Sequence, residues 1–178
     1  MSLRAMSESD LLMVLAWRNA PVVRKNMYTK HEITEAEHRA WFARIKADNS
    51  SKWLMHEDEN GIPDGVVYFS QISNKHMSAF WGFYGAIGAK RGVGTLMEVD
   101  ALEFAFGELD LHKLNCEVIA SNESVVKMHK KFGFVPEGLF RGHCFNGCDY
   151  EDVVRLGIFR HEWSSQRNVI LEKLKRFK

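Results

Sequence analysis

The segment Gly88-Ala89-Lys90-Arg91-Gly92-Val93-Gly94-Thr95 constrains this chain more than any other, because it joins the apolar run Ala79 to Ile87 to a helically spaced pattern that begins at Thr95. The first N–H groups of a helix have no intrahelical partners, and the helix dipole adds positive potential at that end. Glycines let the main chain turn and approach a ligand closely. With Lys90 and Arg91 beside it, the turn reads as a main-chain cradle for an anion, a pyrophosphate being the natural occupant. A plain strand-to-helix turn explains the same residues.

Periodicity organises the rest of the chain. A short strand near Leu3 to Ala5 precedes a helix start at Ser7 and Asp10, followed by Leu11, Leu12, Val14, Leu15 and Trp17. Thr34 and Glu37 form a capping box ahead of His38, Trp41, Phe42 and Ile45, which share one helix face. Trp53 to His56, Gly65 to Ile72 and Ala79 to Ile87 read as antiparallel strands. Thr95, Val99, Leu102 and Phe106 are helical, Leu114 to Ala120 is a strand, and Glu123 to Phe132 is a helix. Two further strands, Phe134 to Phe145 and Asp152 to Phe159, join at the hairpin signal Asn146-Gly147. Val169, Leu171, Leu174 and Phe177 then suggest a docked basic helix, which is also a possible homodimer contact.

With 178 residues, 46% of them hydrophobic, and neither repeat nor flexible linker, one α/β domain over residues 1–178 is expected. Net charge is +1, from 24 basic and 23 acidic side chains, so no overall field recruits nucleic acid or a membrane surface. The start lacks the apolar core of a signal peptide, and no run reaches the roughly 18 apolar residues of a membrane span. Three cysteines, Cys116, Cys144 and Cys148, cannot all pair within the chain. A cytoplasmic, reducing location is therefore expected. His143, Cys144 and Cys148 lack a fourth ligand and a metal spacing, so no metal is expected.

From Asn122 the chain reads Asn-Glu-Ser-Val-Val-Lys-Met-His-Lys-Lys-Phe-Gly-Phe-Val-Pro-Glu-Gly, ending at Gly138. Together with Lys90-Arg91-Gly92-Val93-Gly94, this resembles the two cofactor segments of the Gcn5-related N-acetyltransferases, the GNAT family. The resemblance implies a single-domain α/β fold with a central, mixed, mostly antiparallel twisted sheet flanked by helices. It also implies acetyl-CoA as cosubstrate, held by Ile87, Ala89, Lys90, Arg91, Gly92, Val93, Gly94, Thr95 and Asn122. Ala89 stands where the family loop usually opens with Gln or Arg, which leaves Lys90 or Arg91 to carry the charge. Many relatives have a tyrosine at the position of His129, as the acid that protonates the departing thiolate.

Arg18-Asn19, Met27-Tyr28, His38 and Trp41 look most like the branch that acetylates a UDP-linked 4-amino sugar in pseudaminic acid synthesis. That likeness implies a UDP-amino sugar as small-molecule partner, with Met27, Tyr28 and Trp41 walling the uracil and Arg18 meeting a phosphate or hydroxyl. His38 joins this set, although packing against the core explains His38 and Trp41 equally, and Arg18 has a helix end within reach. Direct attack by the amine needs a base and an acid. Glu117, on the strand face opposite Leu114, Cys116 and Val118, and His129, an imidazole that can give or take a proton, are the candidates. A solvated Glu117 and a packed His129 are the bland alternatives. Acceptors such as protein N-termini or polyamines remain open, as does a non-catalytic acyl-CoA-binding module.

Overall fold

Alternating and helical periodicities sort into seven strands and six α-helices among residues 3–175, which the computed structural model describes. In chain order these are β1 (Leu3–Ala5), α1 (Leu11–Asn19), α2 (Pro21–Arg24), α3 (Glu35–Ala47), β2 (Lys52–Glu57), β3 (Pro63–Ser73) and β4 (Ser78–Gly85). Then come α4 (Val93–Glu103), β5 (Lys113–Ile119), α5 (Glu123–Lys131), β6 (Val135–Phe145), β7 (Tyr150–Phe159) and α6 (Arg160–Lys175). The strands form one sheet in the order β1-β2-β3-β4-β5-β7-β6, and only β4 and β5 pair in parallel. The mixed, mostly antiparallel sheet matches the expectation.

Local chemistry accounts for the element starts. Thr34 Oγ1 accepts the Glu37 N–H at 3.3 Å while Glu37 Oε2 accepts the Thr34 N–H at 2.7 Å, which closes the capping box of α3. Arg4 on β1 donates twice, at 2.8 Å each, to the buried Asp10 carboxylate, which also accepts the Ser7 N–H. That contact ties the edge strand to the entry of α1. Pro21 opens the short α2, where the missing N–H costs nothing. This helix was not foreseen, because four residues are too few to show a period.

Apolar side chains separate onto the two sheet faces. Val14 and Trp17 of α1 pack with Met55, Val66 and Tyr84 on one face. On the other, Leu54, Val67, Phe69, Ala79, Trp81, Leu114, Cys116 and Val118 meet Met97, Ala101 and Leu102 of α4 and Trp163 of α6. Each fully buried large side chain, such as Phe69 or Met55, contributes about 1.5–3 kcal/mol relative to exposure. The last helix docks through Ile170, Leu171 and Leu174. Val169, expected to dock, is 56% exposed, because the helix presents its neighbour Ile170 to the sheet instead. Phe177 lies outside the described residues.

Candidate functional site

The parallel pair that interrupts the antiparallel sheet also opens it. Only Ser78↔Lys113, Ala79↔Leu114 and Phe80↔Asn115 are in register, although both strands continue beyond that point. At the last pair, where the strands part, Asn115 Nδ2 donates to the Ala79 carbonyl at 3.0 Å, while its Oδ1 is buried without a partner. The Ala79 carbonyl therefore points towards β5, whereas the Ala86 N–H points the opposite way, to the Asp64 carbonyl of β3. Main-chain directions alternate along a strand, so the polar groups of Trp81, Phe83 and Gly85 face the gap.

A cleft of about 460 Å³ fills that gap and passes between the two faces of the sheet. Ile87, Ala89 and Asn122 line it, as do Glu117 and His129. Lys90, Arg91, Gly92, Val93, Gly94 and Thr95 stand beyond its lining, where α4 begins. Gly88 and Gly92 have φ of 76° and 98°, left-handed conformations that glycine adopts without strain. Gly92 caps α4 without a side chain and the Val93 side chain is buried in the core, so at these two positions only main-chain groups remain for a ligand. Unpaired strand edges, a helix N-terminus and the exposed Lys90 and Arg91 fit the amides and pyrophosphate of a coenzyme A thioester.

A second cavity, of about 380 Å³, opens on the α1–α3 face and is lined by all five of Arg18, Met27, Tyr28, His38 and Trp41. Sequence reasoning missed Trp53, Tyr68 and Tyr84, which complete its walls. Rings run through it in succession. His38 stacks on Trp41 at 4.8 Å, Trp41 meets Trp53 edge-on at 4.7 Å, and Trp53 stacks on Tyr68 at 4.3 Å. Met27, Tyr68 and Tyr84 line both cavities and so form the partition between them. The Tyr68 ring lies directly over Gly82, where any Cβ would fall within 2.3 Å of its hydroxyl.

The polar groups of this cavity are short of partners. Arg18 Nη2 donates to the Thr29 carbonyl at 3.3 Å, but Nη1 is buried with no partner, and so is His38 Nε2. Burial pulls the Arg18 guanidinium down from its ordinary value, yet arginine stays charged in proteins. Burial also lowers His38, which favours neutral imidazole, and raises the Tyr68 and Tyr84 phenols, which stay protonated. Glu37, a carboxylate of the lining, is engaged by the Thr34 capping box and by His31 at 3.2 Å. The loop between α1 and α3 is clasped by Asn19, whose side chain exchanges two 2.8 Å hydrogen bonds with the Ile33 main chain.

Glu117 and His129 occupy opposite sides of the cleft. Glu117 faces away from Leu114, Cys116 and Val118, as expected, and is held from two sides: the Tyr28 hydroxyl donates at 2.8 Å and Arg155 Nη1 at 3.1 Å. The Arg155 guanidinium lies 4.0 Å above the Phe80 ring. Tyr28 thus bridges the two cavities, and burial with the Glu117 contact raises its phenol above the ordinary value. His129 is only 2% exposed and its Nδ1 lies 2.7 Å from Glu98 Oε1. Neither Glu98 nor Arg155 was anticipated. Glu98, set between Met97 and Val99 in the apolar pattern of α4, was the available signal.

A family model described as an acetyltransferase (GNAT) domain matches residues 1–135, about three quarters of the chain. The chain belongs to the GNAT acetyltransferases. This GNAT enzyme is 28% identical to acetyltransferase PseH of Campylobacter jejuni over 130 residues, 72% of the chain and 79% of PseH. It is 24% identical to the spermidine N(1)-acetyltransferase of Vibrio cholerae over 164 residues, 92% of the chain and 95% of that protein. The fold matches a crystal structure of the Vibrio cholerae spermidine N-acetyltransferase in complex with CoA and spermine. The TM-score is 0.86 at 24% identity, covering 91% of this chain and 96% of that one. GNAT acetyltransferases use acetyl-CoA, and the cleft between β4 and β5 fits it. Among the described residues, no group of three His, Cys, Asp or Glu side chains is placed to hold a metal ion, and no helix is long and apolar enough to cross a membrane.

Proposed function

We propose that this enzyme transfers the acetyl group of acetyl-CoA to the free 4-amine of a UDP-linked aminodeoxy sugar, by direct attack with no acetyl-enzyme. The observation that carries the reading is the unpartnered Arg18 Nη1, buried in an aromatic cavity that adjoins the cleft. A guanidinium nitrogen left without a partner in a low-dielectric wall favours an anionic group such as a diphosphate. The flat rings of Trp41, Trp53 and Tyr68 offer a stacking surface for uracil. PseH relatives point the same way.

A polyamine, the substrate in the names of other relatives, carries several positive charges and needs carboxylates. The lining instead offers Arg18 and Arg44, with Glu37 already engaged. In this reading the acceptor enters from the α1–α3 face, and its amine reaches the cleft past Met27, Tyr68 and Tyr84. The main-chain N–H of Phe83 or Gly85 meets the negative charge developing on the thioester carbonyl oxygen. Glu117 takes the amine proton after exchanging one of its two hydrogen bonds, and His129 protonates sulfur.

The test is thiol release from acetyl-CoA with a UDP-4-amino-4,6-dideoxy sugar, run beside spermidine and a panel of N-terminal peptides. Turnover of the nucleotide sugar, with competition by UDP, is expected. Turnover of spermidine or a peptide that is indifferent to UDP overturns the acceptor. Stabilisation by acetyl-CoA with no turnover of any amine overturns the catalytic reading altogether.

A further inference from the structure

Glu98 lies in α4 with 0% exposure, beside the apolar core cluster that Met97, Val99, Ala101 and Leu102 of the same helix join. A carboxylate in such a place costs several kcal/mol unless paired. Its Oε1 is 2.7 Å from His129 Nδ1, and its Oε2 is buried with no partner. The imidazole is confined on its remaining sides by rings: Trp81 at 5.3 Å, Phe83 at 6.1 Å and Phe134 at 5.2 Å. A Leu or Met at position 98 would fill the space without the desolvation cost, so packing does not explain the carboxylate.

We infer that Glu98 is a positioning residue: it holds the Nδ1–H of His129 and thereby commits Nε2 to deliver the proton that the leaving sulfur needs. This rests on the reading of His129 as the acid. The acceptor nitrogen forms its bond to the acetyl carbon, the C–S bond breaks with its electron pair on sulfur, and the Nε2 proton moves to sulfur. The imidazole is left neutral with its remaining proton on Nδ1, still facing Glu98, and is reprotonated from solvent; the proton lost by the amine goes to Glu117.

Where a family tyrosine needs no orientation of its proton beyond that of the O–H bond, an imidazole has two nitrogens and needs one of them occupied. Burial raises the Glu98 carboxyl above the ordinary range and the contact with His129 opposes that rise, so His129 is the partner that favours the carboxylate form. The neighbouring ionisable groups do not compete for this role. Cys116 of β5 is pushed well up by burial and by Glu98. Glu117 lies on the opposite face of β5, and Lys130 and Lys131 of α5 are exposed.

Two measurements test the inference. The first is imidazole nitrogen spectra of the intact protein, which need no acceptor. Wild type is expected to carry protons on both ring nitrogens of His129 in the donating form and to keep the one on Nδ1 once the ring is neutral, whereas Glu98→Leu should release the neutral ring to the Nε2–H form common in water. The second is a cycle of Glu98→Gln, Glu98→Leu and His129→Phe, with thiol release from acetyl-CoA on whichever amine of the panel is turned over. Glu98→Leu should lower kcat roughly 10- to 100-fold with KM for acetyl-CoA nearly unchanged, Glu98→Gln less. In the His129→Phe background, Glu98→Gln should cost nothing more.

Equal additional losses in both backgrounds, or an Nε2–H tautomer in wild type, overturn the positioning role while leaving His129 as acid. Full kcat in His129→Phe removes the acid and this inference with it. Glu98→Gln keeps the shape of the pair and serves as the folding control, checked by its melting temperature.

Discussion

The two faces of the sheet treat their ionisable groups in opposite ways at the cleft. On the α1–α3 face, Glu117 sits in an open three-way contact with Tyr28 and Arg155, donors that solvent or a substrate can exchange. Across the cleft, His129 borders the opening but is almost wholly buried among aromatic rings, and it pairs with Glu98, which is sealed from solvent. The contrast suits a reaction that takes a proton from a variable, polar acceptor on one side and gives one to an invariant cosubstrate on the other. In the proposed mechanism the exchangeable network would adapt to an arriving amine, and the buried pair would fix a proton beside the leaving sulfur.

The strongest way to break this comparison is His129→Phe. If the sealed side supplies the acid, kcat falls roughly 10² to 10⁴-fold while the protein still binds acetyl-CoA, as titration of the purified variant would report. Next is Arg18→Met on the open side. Losing a charge-assisted contact worth about 1.5–3 kcal/mol raises KM for the nucleotide sugar roughly 10- to 100-fold and removes competition by UDP. The melting temperature should hold or rise, since the variant no longer buries an unpartnered guanidinium nitrogen.

Gly82→Ala sharpens the partition between the cavities. The new methyl falls within 2.5 Å of the Tyr68 Cζ, so the ring must move, at about 1–3 kcal/mol of overpacking. Acceptor KM should rise several-fold and more than that for acetyl-CoA.

Asp10→Asn tests the anchor of α1, the helix that carries Arg18. Arg4 holds the Asp10 carboxyl down at about 2, from an ordinary 3.8. A folded value below the unfolded one means stability that is present above pH 3.8 and lost as pH falls towards 2. Removing the charge should cost about 1–2 kcal/mol at neutral pH, after allowance for the partly exposed Arg4, and flatten the acid limb of a denaturation series.

The smallest expected effect is His38→Gln. Burial lowers His38 below its ordinary 6.5, so the unfolded chain takes up the extra proton first and stability falls as pH drops below 6.5. Melting curves of the variant should lose that portion of the pH dependence and change little above it.

Much of this was legible in the sequence because it is local. The capping box of Thr34 and Glu37, the turn at Asn146-Gly147 and the glycines at 88 and 92 declare themselves within a few residues, and each forms as expected. The strand ending at Gly85 instead of Ile87 is a boundary shift of the ordinary size. Arg18, Met27, Tyr28, His38 and Trp41 were readable as a set from the family resemblance, and they do converge on one cavity. Tyr68, Tyr84 and Trp53 were read only as strand residues, since nothing in an alternating pattern says which face borders a cavity.

The sequence by itself determined the order of the strands and longer helices, the glycine turn after β4 and the kinship with the GNAT acetyltransferases, because periodicity, capping and glycine placement act over one or two turns of chain. Only the tertiary structure decided where β4 and β5 part, that Tyr28 reaches Glu117 across 89 positions, and that His129 meets Glu98 across 31. Those contacts depend on how the sheet and its two helical layers close around each other, and burial, which gives a carboxylate or an imidazole its chemistry, exists only once they have closed.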